Sequence, residues 1–185
     1  MTIGDFFDSL EPLLSDAAEA EENLEKQPES QFARRVYIRS VFAYIEGSVW
    51  ILKNVCLNTK PKNGKARKVS VAEIAILLEE SYQLKNNGNI RITKNNVKLL
   101  ENLKFTFKYI NHLFTGKIDL QLDTENGVHL KIAKEIRNRL THPKQVSDLT
   151  ISDKEIYICQ KVCGWFIEKT QSAIELMVQK GTMEK

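Results

Sequence analysis

Apolar residues recur at steps of three and four along most of this chain, the spacing of helices packed on one face. From about Asp5 to Lys26 the spacing is held by Phe6, Leu10, Leu13, Leu14 and Ala17, and Pro28 ends the run. From about Ser30 to Asn58, Val36, Val41, Phe42, Ile45, Val49, Leu52 and Cys56 form the main stripe. Tyr37, Ile38, Tyr44 and Trp50 widen it almost all round, which predicts a helix at the centre of a bundle. Ser70 stands three residues before Glu73, a capping-box spacing that predicts a short helix to about Tyr82. "NNGNIRIT" then reads as a turn with a brief extended piece, and "KNNVKLLENLKFTFKYINHLF" as a fourth helix closed by Gly116, although Phe105 and Phe107 weaken its period. "KIDLQLD" alternates and fits either a short strand or an extended connector. A fifth helix is expected from Thr124 or Asn126 to Thr141, with Ile132, Ala133, Ile136 and Leu140 on its core face. The last begins at Ser152, again three residues before a glutamate, and runs to about Gln179 with Ile156, Cys159, Cys163, Phe166, Thr170, Ile174 and Met177 as its stripe.

The sum is an all-α bundle of five or six helices ending in one long helix. At 185 residues the chain suits one domain with a proper core. No run of about 18 apolar residues predicts a membrane span. The start, "MTIGDFFDSLEPLL", carries acids where a secretory signal carries bases. Three cysteines make no even disulfide framework, which suits a reducing compartment, so a cytoplasmic protein is expected.

Charge adds one feature. Residues 1–29 hold nine acids and one lysine, whereas the remainder carries 26 bases against 15 acids, a net of +11. A positive body attracts phosphate polyanions, unless the acidic first helix lies beside it and cancels it. The stretch "NTKPKNGKARK" (58–68) holds five bases and no acid, and reads more readily as a solvated connector than as a phosphate-binding loop.

The densest chemistry lies in "EIRNRLTHPK", from Glu135 to Lys144. An arginine followed five residues later by a histidine arises by chance in roughly a fifth of chains of this size. Context strengthens it. On a helical wheel, with Ile132, Ile136 and Leu140 marking the core, Arg137 lies at the core's edge. Pro143 disfavours helical backbone at His142, so the imidazole is presented at the helix end. An ideal helix holds the two side chains about 140° apart, and the break at the proline and the long arginine stem offer a way to converge.

"RNRLTH", Arg137 to His142, resembles the signature of the HEPN domain family. That signature is an arginine, usually followed by a polar residue such as asparagine, then a histidine four to six positions on. Its place, after several helices and before a long final one, is also similar, as is the apolar helix "RRVYIRSVFAYIEGSVWILK". The resemblance implies a metal-independent endoribonuclease of toxin or defence type, needing no cofactor. It implies a homodimer that brings two motifs together in one cleft, RNA as substrate, and a cognate antitoxin or regulator protein as partner. His142 would act as general acid or base, roles open to histidine because free imidazole titrates near pH 6.5. Arg137 would stabilise phosphate charge, and Asn138 would orient one of the two. The product would carry a 2′,3′-cyclic phosphate. A branch of the family has a tyrosine two positions after the histidine; here Lys144 stands there. Arg139 and Lys144 are candidates for gripping RNA phosphates, although bases near a helix C-terminus also favour its dipole. A non-catalytic RNA-binding, nucleotide-binding or protein-interaction module is the alternative.

Glu46, inside the apolar second helix, needs a partner. It is expected to be at least partly buried against an arginine, Arg39 or Arg137. Cys159 and Cys163 are four apart on one apolar stripe, which favours core packing over metal binding. His112 and His129 are expected to be structural or exposed, and Trp50 and Trp165 to lie in the core.

Overall fold

The computed structural model describes residues 3–61 and 69–183, and side chains within 7–59 and 69–180. Phe6 and most of the basic stretch 58–68 therefore fall outside the described side chains. The fold is all-α. Among the described residues the six helices are α1 (Ile3–Lys26), α2 (Gln31–Asn58), α3 (Val71–Leu77), α4 (Leu99–Phe114), α5 (Glu125–Thr141) and α6 (Asp153–Lys180). Among the described residues no helix is long and apolar enough to cross a membrane.

Two short strand pairs accompany the helices: β1 (Thr59–Pro61) with β4 (Gly181–Met183), and β2 (Glu80–Leu84) with β3 (Ile90–Lys94), both antiparallel. The β2–β3 pair corrects two expectations. The helix begun at Ser70 does not reach Tyr82, because it ends at Leu77 and Glu79 follows in the left-handed region with φ 53°. The brief extended piece in "NNGNIRIT" is β3, joined to β2 through a turn whose Gly88 has φ 79°. The segment 117–123 forms no strand; it is the connector, with Leu120 buried.

The chain divides into two compact units, and α1, α2 and α6 contribute residues to both. One comprises residues 1–6, 49–118 and 173–185, with Leu52 of α2 and Leu103, Phe107 and Ile110 of α4 in its core. Lys53 is fully buried in it and is neutralised by Glu79 at 2.7 Å. Trp50, expected in the core, is half exposed. The α2 surface is apolar nearly all round, so the wheel did not single out which side stays open.

The other unit, residues 7–48 and 119–172, carries the motif. Leu10, Ala17 and Leu24 of α1, Tyr37, Ile38, Val41, Phe42, Tyr44 and Ile45 of α2, Ala133, Ile136 and Leu140 of α5, and Cys159, Val162, Cys163, Trp165 and Phe166 of α6 supply its core. At Gly47 a methyl group would meet Leu13 at 2.5 Å, so α1 and α2 approach closely there. Trp165 is buried, as expected, and donates its indole N–H to the Leu120 carbonyl at 3.1 Å. Ile132, expected on the core face of α5, is exposed; Leu130 takes its place. The Ser152–Glu155 capping box starts α6 as the spacing predicted.

Candidate functional site

Helix α5 starts at a Thr124 cap and ends at His142, where φ −130° and ψ 62° leave the helical region. The following proline accounts for this exit. The His142 backbone N–H still closes the last turn on the Asn138 carbonyl at 3.0 Å. Its imidazole is exposed and makes no hydrogen bond or ion pair among the described residues.

Arg137 lies on the preceding turn. Its Nη2 donates to Oε1 of Glu46 at 2.6 Å, and its Nη1 to Oδ1 of Asn138 at 3.4 Å. The Arg137 side chain is 32% exposed and Glu46 41%. Glu46 thus finds an arginine as expected, but stands more open than a buried carboxylate. Two of five guanidinium N–H groups are used, so the fork retains donors towards solvent. No hydrogen bond joins Arg137 to His142.

Three other candidates have different posts. Arg39 does not reach Glu46; its Nη2 donates to the Leu140 carbonyl at 3.3 Å, satisfying a helix-end acceptor. Arg139, proposed above as a phosphate contact, is spent inside the protein. Its two terminal nitrogens bind the carbonyls of Asp148 and Thr150 and the carboxylate of Glu155, the last at 2.5 Å. A guanidinium with those partners has no free fork for RNA. Lys144 is exposed; its backbone N–H donates to Asp148 Oδ2, and its amine has no partner among the described residues.

Beyond His142 the chain makes a 3-10 turn (Val146–Leu149) before entering α6. The Asp148 carboxylate accepts from the Lys144 and Gln145 backbone N–H groups, and the first of these chiefly holds its pKa below the ordinary value of 3.8. Arg34 and Arg35 of α2 bind this segment too. Arg34 is buried; its Nη1 donates to the Ile151 carbonyl at 2.8 Å and its Nη2 meets Asp153 at 2.5 Å. Arg35 donates to the Leu149 carbonyl at 3.1 Å. Sequence reasoning passed over both. The available signal was a pair of cations, Arg34 and Arg35, opening an apolar helix, since a cation drawn into a core needs acceptors.

The remaining residues behave structurally. Cys159 and Cys163 are buried in the core, and burial foremost pushes their thiols up to about 12 and about 11. His129 faces Glu125 one turn away at 3.5 Å, and His112 is exposed.

No family model matches the sequence, and neither the curated proteins nor the solved structures give a match.

Proposed function

We propose that this protein is a metal-independent endoribonuclease of the HEPN kind, with Arg137 and His142 as its reacting pair. One observation carries the reading. The Arg137 guanidinium is anchored by Glu46 at 2.6 Å on the open side of α5, and an unbonded imidazole stands at the end of the same helix. An anchored cation with spare donors suits a phosphate whose charge grows in the transition state. A solvent-facing imidazole is the kind of side chain that general acid–base catalysis uses.

In this scheme His142 takes the proton of a ribose 2′-hydroxyl, and the 2′-oxygen attacks the adjacent phosphorus. The bond to the 5′-oxygen breaks, leaving a 2′,3′-cyclic phosphate and a 5′-hydroxyl. The leaving oxygen needs a proton, which one imidazole already acting as base does not give in the same step. A second copy of the chain supplies it through its own motif, which makes a homodimer part of the proposal. The net charge of +11 on residues 30–185 favours RNA as substrate. RNA cleavage of toxin or defence type in the cytoplasm would call for a cognate antitoxin or regulator protein.

The second reading is a non-catalytic binding module, favoured by the absence of any bond between Arg137 and His142. Incubation of the wild type and a His142→Ala variant with mixed cellular RNA in excess chelator separates the two. Cleavage by the wild type alone, leaving cyclic phosphate ends, supports the enzyme; intact RNA with a folded dimer supports the module.

A further inference from the structure

The segment after His142 is held to the protein almost entirely by arginines. Four successive carbonyls, Asp148, Leu149, Thr150 and Ile151, accept from guanidinium groups: Arg139 takes the first and third, Arg35 the second and Arg34 the fourth. On the other side of His142, the Leu140 carbonyl accepts from Arg39. Gln31 completes the set by exchanging two hydrogen bonds with the Ile151 backbone. Arg34, Arg35, Arg39, Arg137 and Arg139 are all the arginines of this unit; Arg34, Arg35 and Arg139 hold the segment after His142, Arg34 bonding the Pro28 carbonyl as well, and Arg39 holds the backbone before it.

Packing does not do the same job. Residues 143–147 are exposed, and between Pro143 and Ser152 only Ile151 is buried. A loop with a single apolar anchor at its far end depends on hydrogen bonds for the rest of its order. The His142 imidazole has no bond of its own, so the backbone on either side of it sets where the side chain is attached and hence the space the ring can reach.

We propose that Arg34, Arg35, Arg39 and Arg139 act together as positioning residues for His142, clamping the backbone before and after it so that the imidazole turns about one fixed attachment point on the helix that carries Arg137. The proposal rests on the ribonuclease reading for its catalytic consequence, and on the loop alone for its structural one. It also moves the phosphate grip from Arg139, which is spent on two carbonyls and a carboxylate, to Lys144, whose amine has no partner among the described residues.

Arg35→Ala/Arg39→Ala tests this, since each side chain serves one carbonyl and Arg39 is exposed. Amide exchange at Lys144 and Ile151 should rise at least roughly tenfold, with Ile136 in α5 unchanged. A displacement of about 1 Å is enough to lose about 100-fold in rate. The turnover number should therefore fall roughly 10- to 100-fold, with KM within about threefold. Arg39→Lys should behave as wild type, because one carbonyl needs one donor. Arg139→Lys should not, because that side chain serves two carbonyls and a carboxylate. Unchanged loop exchange in the double variant overturns the clamp. Faster exchange with undiminished cleavage overturns the positioning role. A wild type that cuts no RNA overturns the ribonuclease reading alone, and the exchange rates then still decide whether these arginines fix the loop. If the double variant fails to fold, Arg39→Ala alone carries the same comparison.

Discussion

The Glu46–Arg137 pair separates a catalytic arginine from a structural one. Glu46→Ala removes the anchor, and Glu46→Gln keeps an oxygen acceptor while removing the charge. The two side chains are 41% and 32% exposed at 2.6 Å, so solvent screens much of their attraction. Exposed pairs contribute about 0.2–1 kcal/mol, and a half-open pair belongs near the top of that range. Loss of about 1 kcal/mol lowers Tm by roughly 2–4 °C in a chain of this length. The catalytic effect should be larger. An unanchored guanidinium samples many rotamers, and misplacement by about 1 Å can lower the rate about 100-fold. We expect Glu46→Ala to cut RNA at least tenfold more slowly and Glu46→Gln to stay within about threefold, with both unfolding within about 4 °C of wild type. Thermal unfolding by circular dichroism and initial cleavage rates on one RNA decide it. Glu46→Ala cleaving at the wild-type rate, or unfolding more than about 10 °C lower, would refute the reasoning.

Other outcomes follow from the same structure. Glu79→Gln should destabilise by about 3–5 kcal/mol because it strands the fully buried Lys53, whereas Lys53→Met should cost less, since Glu79 keeps Asn102 and partial access to water; urea unfolding of both variants tests the order. Cys56, Cys159 and Cys163 are buried with their thiols held above the usual value, so iodoacetamide at neutral pH should leave the native protein unmodified and label all three after denaturation. The Asp148 carboxyl has a lowered pKa in the folded state, so its hold on Lys144 and Gln145 is present at neutral pH and lost as pH falls through that folded value, below 3.8. Asp148→Asn should accordingly speed exchange of the Lys144 amide at neutral pH, and the difference from wild type should vanish in strong acid. Trp165→Phe should cost about 1–3 kcal/mol by leaving the Leu120 carbonyl without its donor, measured by the same unfolding curves.

Helices α1, α2, α5 and α6 were legible because their stripes are long and their ends carry punctuation: Pro28, Thr124 and Ser152 fall where the backbone turns. Helix α3 was read too long because "ESYQL" continues an apolar pattern that both periods fit, and only the left-handed Glu79 decides for a strand. The strands β1 and β4 join residues more than 100 positions apart and leave no local pattern. At the site, the exit of His142 from the helix was readable from Pro143, and a partner for Glu46 from the cost of a lone charge in an apolar helix. Which arginine would serve it was not: Arg39 stands two turns away on the same helix, and whether Arg137 comes nearer depends on where α5 crosses α2. Arg139 looked free for the same reason: its partners, Asp148, Thr150 and Glu155, meet it only once the chain after Pro143 folds back.

The central claim is that Arg137 and His142 cut RNA without a metal, and the direct measurement is the chemistry of the cut ends. Purified wild-type protein and His142→Ala, each shown to be folded, are given one RNA in excess chelator, and the 3′ ends are identified by mass spectrometry. The expected outcome is 2′,3′-cyclic phosphates from the wild type and uncut RNA from the variant. Equal cleavage by both proteins, or 3′-hydroxyl ends, would contradict it.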